Sequence, residues 1–188
     1  GNPDFDKLEE LSSGAGDIWH SSFEQGYKNA FPELVYQTAV FFWYINDFDH
    51  LDECVSWRVN PNAFAVRKSV WERLKGFDSE YANPQIQALD FGYNAVRNSG
   101  AVSLYIKDLF TSSEIEEINI STRDRYTFFI KNFKVDHALF MIYRKGFWKW
   151  KEWDAFFYAK NKFRKSSPKP VLKPKELKPI EGNPTVSY

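Results

Sequence analysis

Phe140, Tyr143, Phe147, Trp150 and Phe157 fall at three- and four-residue steps, while Arg144, Lys145, Lys149, Lys151 and Lys160 fall largely elsewhere. On a helix this spacing makes one face aromatic and the remainder basic, the pattern of a segment lying flat on an anionic bilayer. The same stripe also suits a helix that packs its aromatics onto its own domain. Trp57 and Arg58 are a second pair with binding chemistry. An indole can stack on a sugar ring and a guanidinium can bond its hydroxyls, although a core Trp beside a snorkelling Arg reads equally well. Asn60 and Asn62 flank Pro61, so their amides suit either hydroxyl recognition or a turn. Trp19 and His20 are candidates for the same cleft; a lone His is more often structural than catalytic. The single Cys54 excludes an intrachain disulfide and a cysteine-based zinc site.

These residues need a scaffold, and 188 residues are enough for one domain with a real core. The formal net charge of zero hides an asymmetry: residues 1–130 carry 11 Lys/Arg against 20 Asp/Glu, whereas residues 131–188 carry 14 against 5. No stretch reaches the roughly 18 apolar residues that a membrane span requires, and the polar start is not a signal peptide. Helices are expected over residues 4–11, 68–74, 90–98, 123–145 and 147–164, the last two separated near Gly146. Residues 17–20, 54–66 and 101–106 read as extended, 46–53 as an acidic loop and 81–87 as a loop. Residues 34–45 are a buried strand or a buried helix, which periodicity alone does not settle. The five prolines beyond Ser166 make residues 166–188 an extended or disordered tail. A nucleic-acid role for this basic tail is not expected, because no recognisable binding module accompanies it.

Residues 62–110 carry a resemblance. Ala65-Val66-Arg67-Lys68 follows a small-residue strand, a short helix leads to Gly76-Phe77-Asp78, and after a loop come Leu89-Asp90, a helix, Gly100 and the strand at 102–106. This order and spacing resemble the C-terminal half of family 2 glycosyltransferases of the GT-A type. Arg123-Asp124-Arg125-Tyr126 is similar to an arginine-rich element of some members. The resemblance covers about 100 residues.

It implies an α/β fold: a partial GT-A-like mixed sheet flanked by helices, then C-terminal helices and the tail. It divides the chain into an acceptor-side region (1–130), an aromatic and basic helical extension (131–165) and the tail (166–188). It further implies that the chain is part of an enzyme moving a sugar from a nucleotide-sugar donor to a glycan or lipid-linked acceptor, in surface polysaccharide synthesis. The natural chain is expected to extend upstream with the nucleotide-binding half, so the isolated chain would be inactive. The complete enzyme would need Mn²⁺ or Mg²⁺, with no metal site within these residues. Asp47-Phe48-Asp49 stands too late for the family's metal motif, and Asp4-Phe5-Asp6 suits the start of a helix. An inverting transferase needs a carboxylate to take the acceptor hydroxyl's proton. The resemblance gives that role to Asp90, expected at the start of its helix, where it would equally serve as an N-cap. Leu89 stands where the family carries a second acid. Trp57, Arg58, Asn60, Asn62 and Trp19 become candidates for the sugar, and Arg123 and Arg125 for a diphosphate. The expected location is the cytoplasm, at the inner face of the membrane, with peripheral contact through the 140–165 helix. A catalytically dead carbohydrate-binding or scaffold domain of the same fold is the alternative.

Overall fold

The computed structural model describes residues 2–21, 52–111 and 119–163. The apolar stretch 34–45, Asp47, Asp49 and the tail at 166–188 lie outside the described residues. The fold is mixed α/β. Six α-helices are described: α1 (Phe5–Ser12), α2 (Lys68–Leu74), α3 (Pro84–Tyr93), α4 (Thr122–Asn132), α5 (Val135–Lys145) and α6 (Trp150–Lys162). The strands are β1 (Ile18–His20), β2 (Glu53–Val55), β3 (Phe64–Val66) and β4 (Ser103–Ile106), in one sheet of order β2-β4-β1-β3. β1 runs parallel to β4 and antiparallel to β3, and β2 closes the other edge antiparallel to β4.

Alternation along the strands gives the sheet two covered faces. Ile18, Phe64 and Val66 point to one side, where Trp71 and Leu74 of α2 and Ala88, Phe91 and Ala95 meet them. Trp19, Ala65, Leu104 and Ile106 point to the other, against Leu8 and Leu11 of α1 and Leu109 and Phe110. The Asp17 carboxylate accepts from the Val102 amide at 2.9 Å, fixing the start of β1 beside β4. A third core lies among the helices: Ile86 and Leu89 of α3 pack with Tyr126, Phe128 and Phe129 of α4, Met141 and Ile142 of α5, and Ala155, Phe156 and Ala159 of α6.

α3 is therefore the shared wall between the sheet and the helical layer, with five consecutive buried residues from Ala88 to Gly92. Two expectations are corrected here. Residues 84–87 belong to α3 rather than to a loop: the Asn83 side chain accepts from the Gln85 and Ile86 amides, and Pro84 takes the first helical position. Asp90 thus lies two turns inside the helix, so neither the helix start nor the N-cap expected for it exists. A helix buried on two sides has no single apolar stripe, and periodicity misplaces its beginning. After Tyr93 it widens into a π-turn at Asn94–Asn98 and ends before Gly100, whose φ of +73° suits glycine.

The second correction concerns residues 123–145, expected as one helix. The chain breaks between α4 and α5 at Phe133, which is extended and turns its ring inward against Tyr93 and Phe129, with centroids 5.0 and 5.2 Å away. Burying that ring outweighs continuing the helix.

Candidate functional site

The densest polar cluster among the described residues surrounds Asp90, which is only 4% exposed. Its Oδ1 accepts from the Tyr81 hydroxyl at 2.8 Å and from the Asn132 side-chain amide, and its Oδ2 accepts from Asn94 Nδ2 at 3.0 Å. Asn94 Nδ2 also donates to the Asp90 carbonyl at 2.8 Å. Lys131 Nζ stands 3.8 Å from Asp90 Oδ2, pairs with Asp78 and lies 4.7 Å from the centre of the Tyr81 ring. A buried carboxylate needs this provision, because an ion taken from water must recover its hydration from fixed donors. Three elements supply it: the segment before α3 (Tyr81), the π-turn (Asn94) and the end of α4 (Lys131, Asn132), while Asp78 of the Gly-Phe-Asp loop holds Lys131.

The ionisation of the neighbours follows. Burial drives the Tyr81 hydroxyl well above 10, and the nearby Asp90 carboxylate, which holds its proton, adds to the effect. Partial burial works to raise Asp78, but the Lys131 hydrogen bond, the Glu80 amide and the Lys131 and Lys162 charges prevail and lower it below 3.8.

A second segment packs on the same helix, α3. The segment Trp57-Arg58-Val59-Asn60 crosses α3 at Gly92, where a Cβ would stand 2.1 Å from the Trp57 carbonyl oxygen, so only glycine allows the crossing. The Trp57 ring meets Tyr93 edge-on at 5.3 Å, one turn along α3 from Asp90. Arg58 and Asn60 follow, both buried. Asn60 Oδ1 accepts from the Asn62 amide at 3.0 Å, the turn role that its position beside Pro61 allowed, while Asn62 itself is exposed. His20, wholly buried on β1, faces the Ser56 carbonyl through Nε2 at 3.2 Å, and burial brings its pKa down to about 4. At neutral pH it is an uncharged ring.

The remaining candidates lie elsewhere. Trp19 is buried on the α1 face of the sheet, beneath the Arg67 guanidinium at 5.2 Å. Arg123 pairs with Asp154 of α6 at 3.2 Å and lies over Tyr158 at 4.7 Å. It stands at the opposite end of α4 from Lys131 and Asn132, about 12 Å along the axis. It borders a groove of about 400 Å³ between the starts of α4 and α6, lined by Ser121, Thr122, Trp150 and Lys151. Arg125 is half-buried on α4. Asp124, between the two arginines, is spent on the backbone: its oxygens accept from the Ala82 and Asn83 amides at 3.1 and 3.2 Å, holding the loop that leads into α3.

The structure therefore places the Trp57 ring on Tyr93, one turn along α3 from Asp90, with Arg58 and Asn60 following in the same segment, and places Trp19, Arg123 and Arg125 apart. Sequence reasoning missed Tyr81, Asn94, Lys131 and Asn132. The signal was present for Asn94, which lies four residues beyond Asp90, but no local pattern links Asp90 to Asn132, 42 residues away. Among the described residues no three His, Cys, Asp or Glu side chains converge as a metal site would require. No family model matches the chain, and neither a curated protein nor a solved structure matches it.

Proposed function

We propose that this chain is the acceptor-side portion of a sugar-transfer enzyme of the family 2 type. The observation carrying this reading is the meeting of two sequence-distant segments on α3: the Gly-Phe-Asp loop that leads through Tyr81 to Asp90, and the Trp57–Asn60 segment that crosses the same helix at Gly92. The former includes the carboxylate an inverting transfer needs; the latter includes the aromatic and amide groups that suit a sugar. In the reaction the acceptor oxygen attacks the anomeric carbon, the carbon–oxygen bond to the diphosphate breaks and its electrons leave with the diphosphate, and the hydroxyl proton passes to Asp90. The acceptor hydroxyl would take the place of one present donor, and Asn94 on the π-turn is the one whose backbone is least regular.

A second reading, a non-catalytic carbohydrate-binding or scaffold domain, is favoured by one observation: Asp90 is nearly inaccessible and both its oxygens already face donors. Titration of this chain with UDP-sugars and GDP-sugars, with and without Mn²⁺, beside a saccharide array, separates the readings. The acceptor-side reading expects saccharide binding and no Mn²⁺-dependent nucleotide-sugar binding. Metal-dependent nucleotide binding would place the donor site inside these residues, and an absence of any saccharide binding would count against both sugar readings.

A further inference from the structure

The turn between α5 and α6 presents a cluster of exposed aromatic rings. Tyr143 is 72% exposed, Phe147 65%, Trp148 73% and Trp150 76%, far beyond what isolated surface aromatics require. The cluster is held in place: Gly146, with φ at +107°, turns the chain, the Trp148 ring lies against it, Lys149 N donates to the Gly146 carbonyl at 3.0 Å, and Trp153 Nε1 donates to the Phe147 carbonyl at 2.7 Å. Arg144, Lys145, Lys149 and Lys151 surround it, and residues 139–151 contain no acid. Beyond α6 the sequence continues with Arg164, Lys165, Lys169, Lys173, Lys175 and Lys178.

From this we infer that the α5–α6 turn docks on an anionic lipid bilayer, with Phe147 and Trp148 entering the headgroup boundary and the cations bound to lipid phosphates and carboxylates. Charge selects this occupant. A second copy of the chain related by a two-fold axis would set the same four cations against themselves, and the basic continuation of this chain would be repelled likewise. Protruding Trp and Tyr rings mixed with Lys and Arg match the bilayer interface, where an aromatic ring has an apolar side and a wet one. The docking element is the turn at 143–151, with Phe140 and Phe157 about half-exposed on the flanking helices. Its action does not depend on sugar chemistry, so vesicle binding and sugar transfer fail separately.

The test is flotation of the purified chain with phosphatidylcholine vesicles, with and without about one-third phosphatidylserine. The chain is expected to float with the anionic vesicles, to bind neutral ones at least about tenfold more weakly, and to detach as salt rises. Phe147→Ala with Trp148→Ala should weaken binding about tenfold or more, and Lys149→Glu with Lys151→Glu about 25-fold or more. Both pairs are exposed, so melting temperatures should hold and loss of fold is separable from loss of binding. Failure of the wild type to float, equal binding to neutral vesicles, or indifference to both double variants would overturn the inference. So would a dimer of the wild type that the Phe147/Trp148 variant dissociates, since a second copy would then occupy the turn.

Discussion

Asp90 and His20 show how burial assigns different work to two titratable groups in one small domain. His20 has little to offset its desolvation beyond one backbone carbonyl, so its folded pKa falls to about 4 against 6.5 when unfolded. The folded ring binds a proton more weakly than the unfolded one, so stability is complete above pH 6.5 and falls as pH drops toward 4. The slope is about 1.4 kcal/mol per pH unit and the total roughly 3 kcal/mol. Denaturant unfolding across pH 4–7 should show this slope, and His20→Asn should flatten it; an unchanged slope would remove His20 as its source. Asp78 acts in a lower window. Its folded pKa lies below 3.8, so its contribution is present above that value and disappears as pH falls through the folded one. Lys131→Met should remove this second acid limb. It should also cost about 2 kcal/mol at neutral pH, because Asp78 loses its partner and Asp90 keeps only neutral donors. A variant as stable as the wild type would show that Lys131 is a surface charge.

At the scale of elements, α3 is the piece on which the fold turns, and its crossing with the Trp57–Asn60 segment is the tightest contact around it. Gly92→Ala should destabilise by about 3 kcal/mol or more, since the new methyl meets a backbone oxygen that cannot rotate away. A melting temperature within a degree or two of the wild type would mean that the two segments can separate cheaply. This element also shows what the sequence makes legible. Where a helix has one apolar face or a clear stop, as α1 and α2 do, its limits follow from spacing, and residues 68–74 agree with α2 at both ends. The strands near 17–20 and 101–106 are legible through β-branched and aromatic alternation. α3 is not, because burial on two sides erases the stripe, and its start is marked only by the Asn83 cap and Pro84. The break at Phe133 is hidden for a related reason: its ring packs on Tyr93, forty residues away, as well as on Phe128 and Phe129 of its own helix. The Asp90 cluster is the hardest part to read, since its donors come from three separate elements and meet only in three dimensions.

Across the whole molecule, residues 131–163 contribute to the helical core through Ala138, Met141, Ile142, Ala155, Phe156 and Ala159. α4 and α6 lie side by side with their starts together, joined by Arg123–Asp154 at one end, by Tyr126–Glu152 at 2.9 Å, and by Lys131 beneath Phe163 at the other. Ending the chain at Lys149 removes Ala155, Phe156 and Ala159 from the helical core. The shortened protein should lose cooperative unfolding and near-ultraviolet circular dichroism; retention of both would show that the helices form a separable extension. Residues 52–111 and 119–163 thus form one support for Asp90, with the exposed aromatic turn at the other end of α6.

Sugar transfer by the native protein that carries these residues, wild type against Asp90→Asn, tests the sugar-transfer reading most directly. The substitution keeps the shape but sets an amide among donors, at a cost of about 1–3 kcal/mol, which a domain stable by about 5–15 kcal/mol survives at assay temperature. With melting curves recorded beside the rates, the predicted result is a folded variant whose transfer is reduced about a hundredfold or more. A folded variant that transfers as fast as the wild type, or a wild type that transfers no sugar from any nucleotide donor, would contradict the assignment of Asp90 as the acceptor's base.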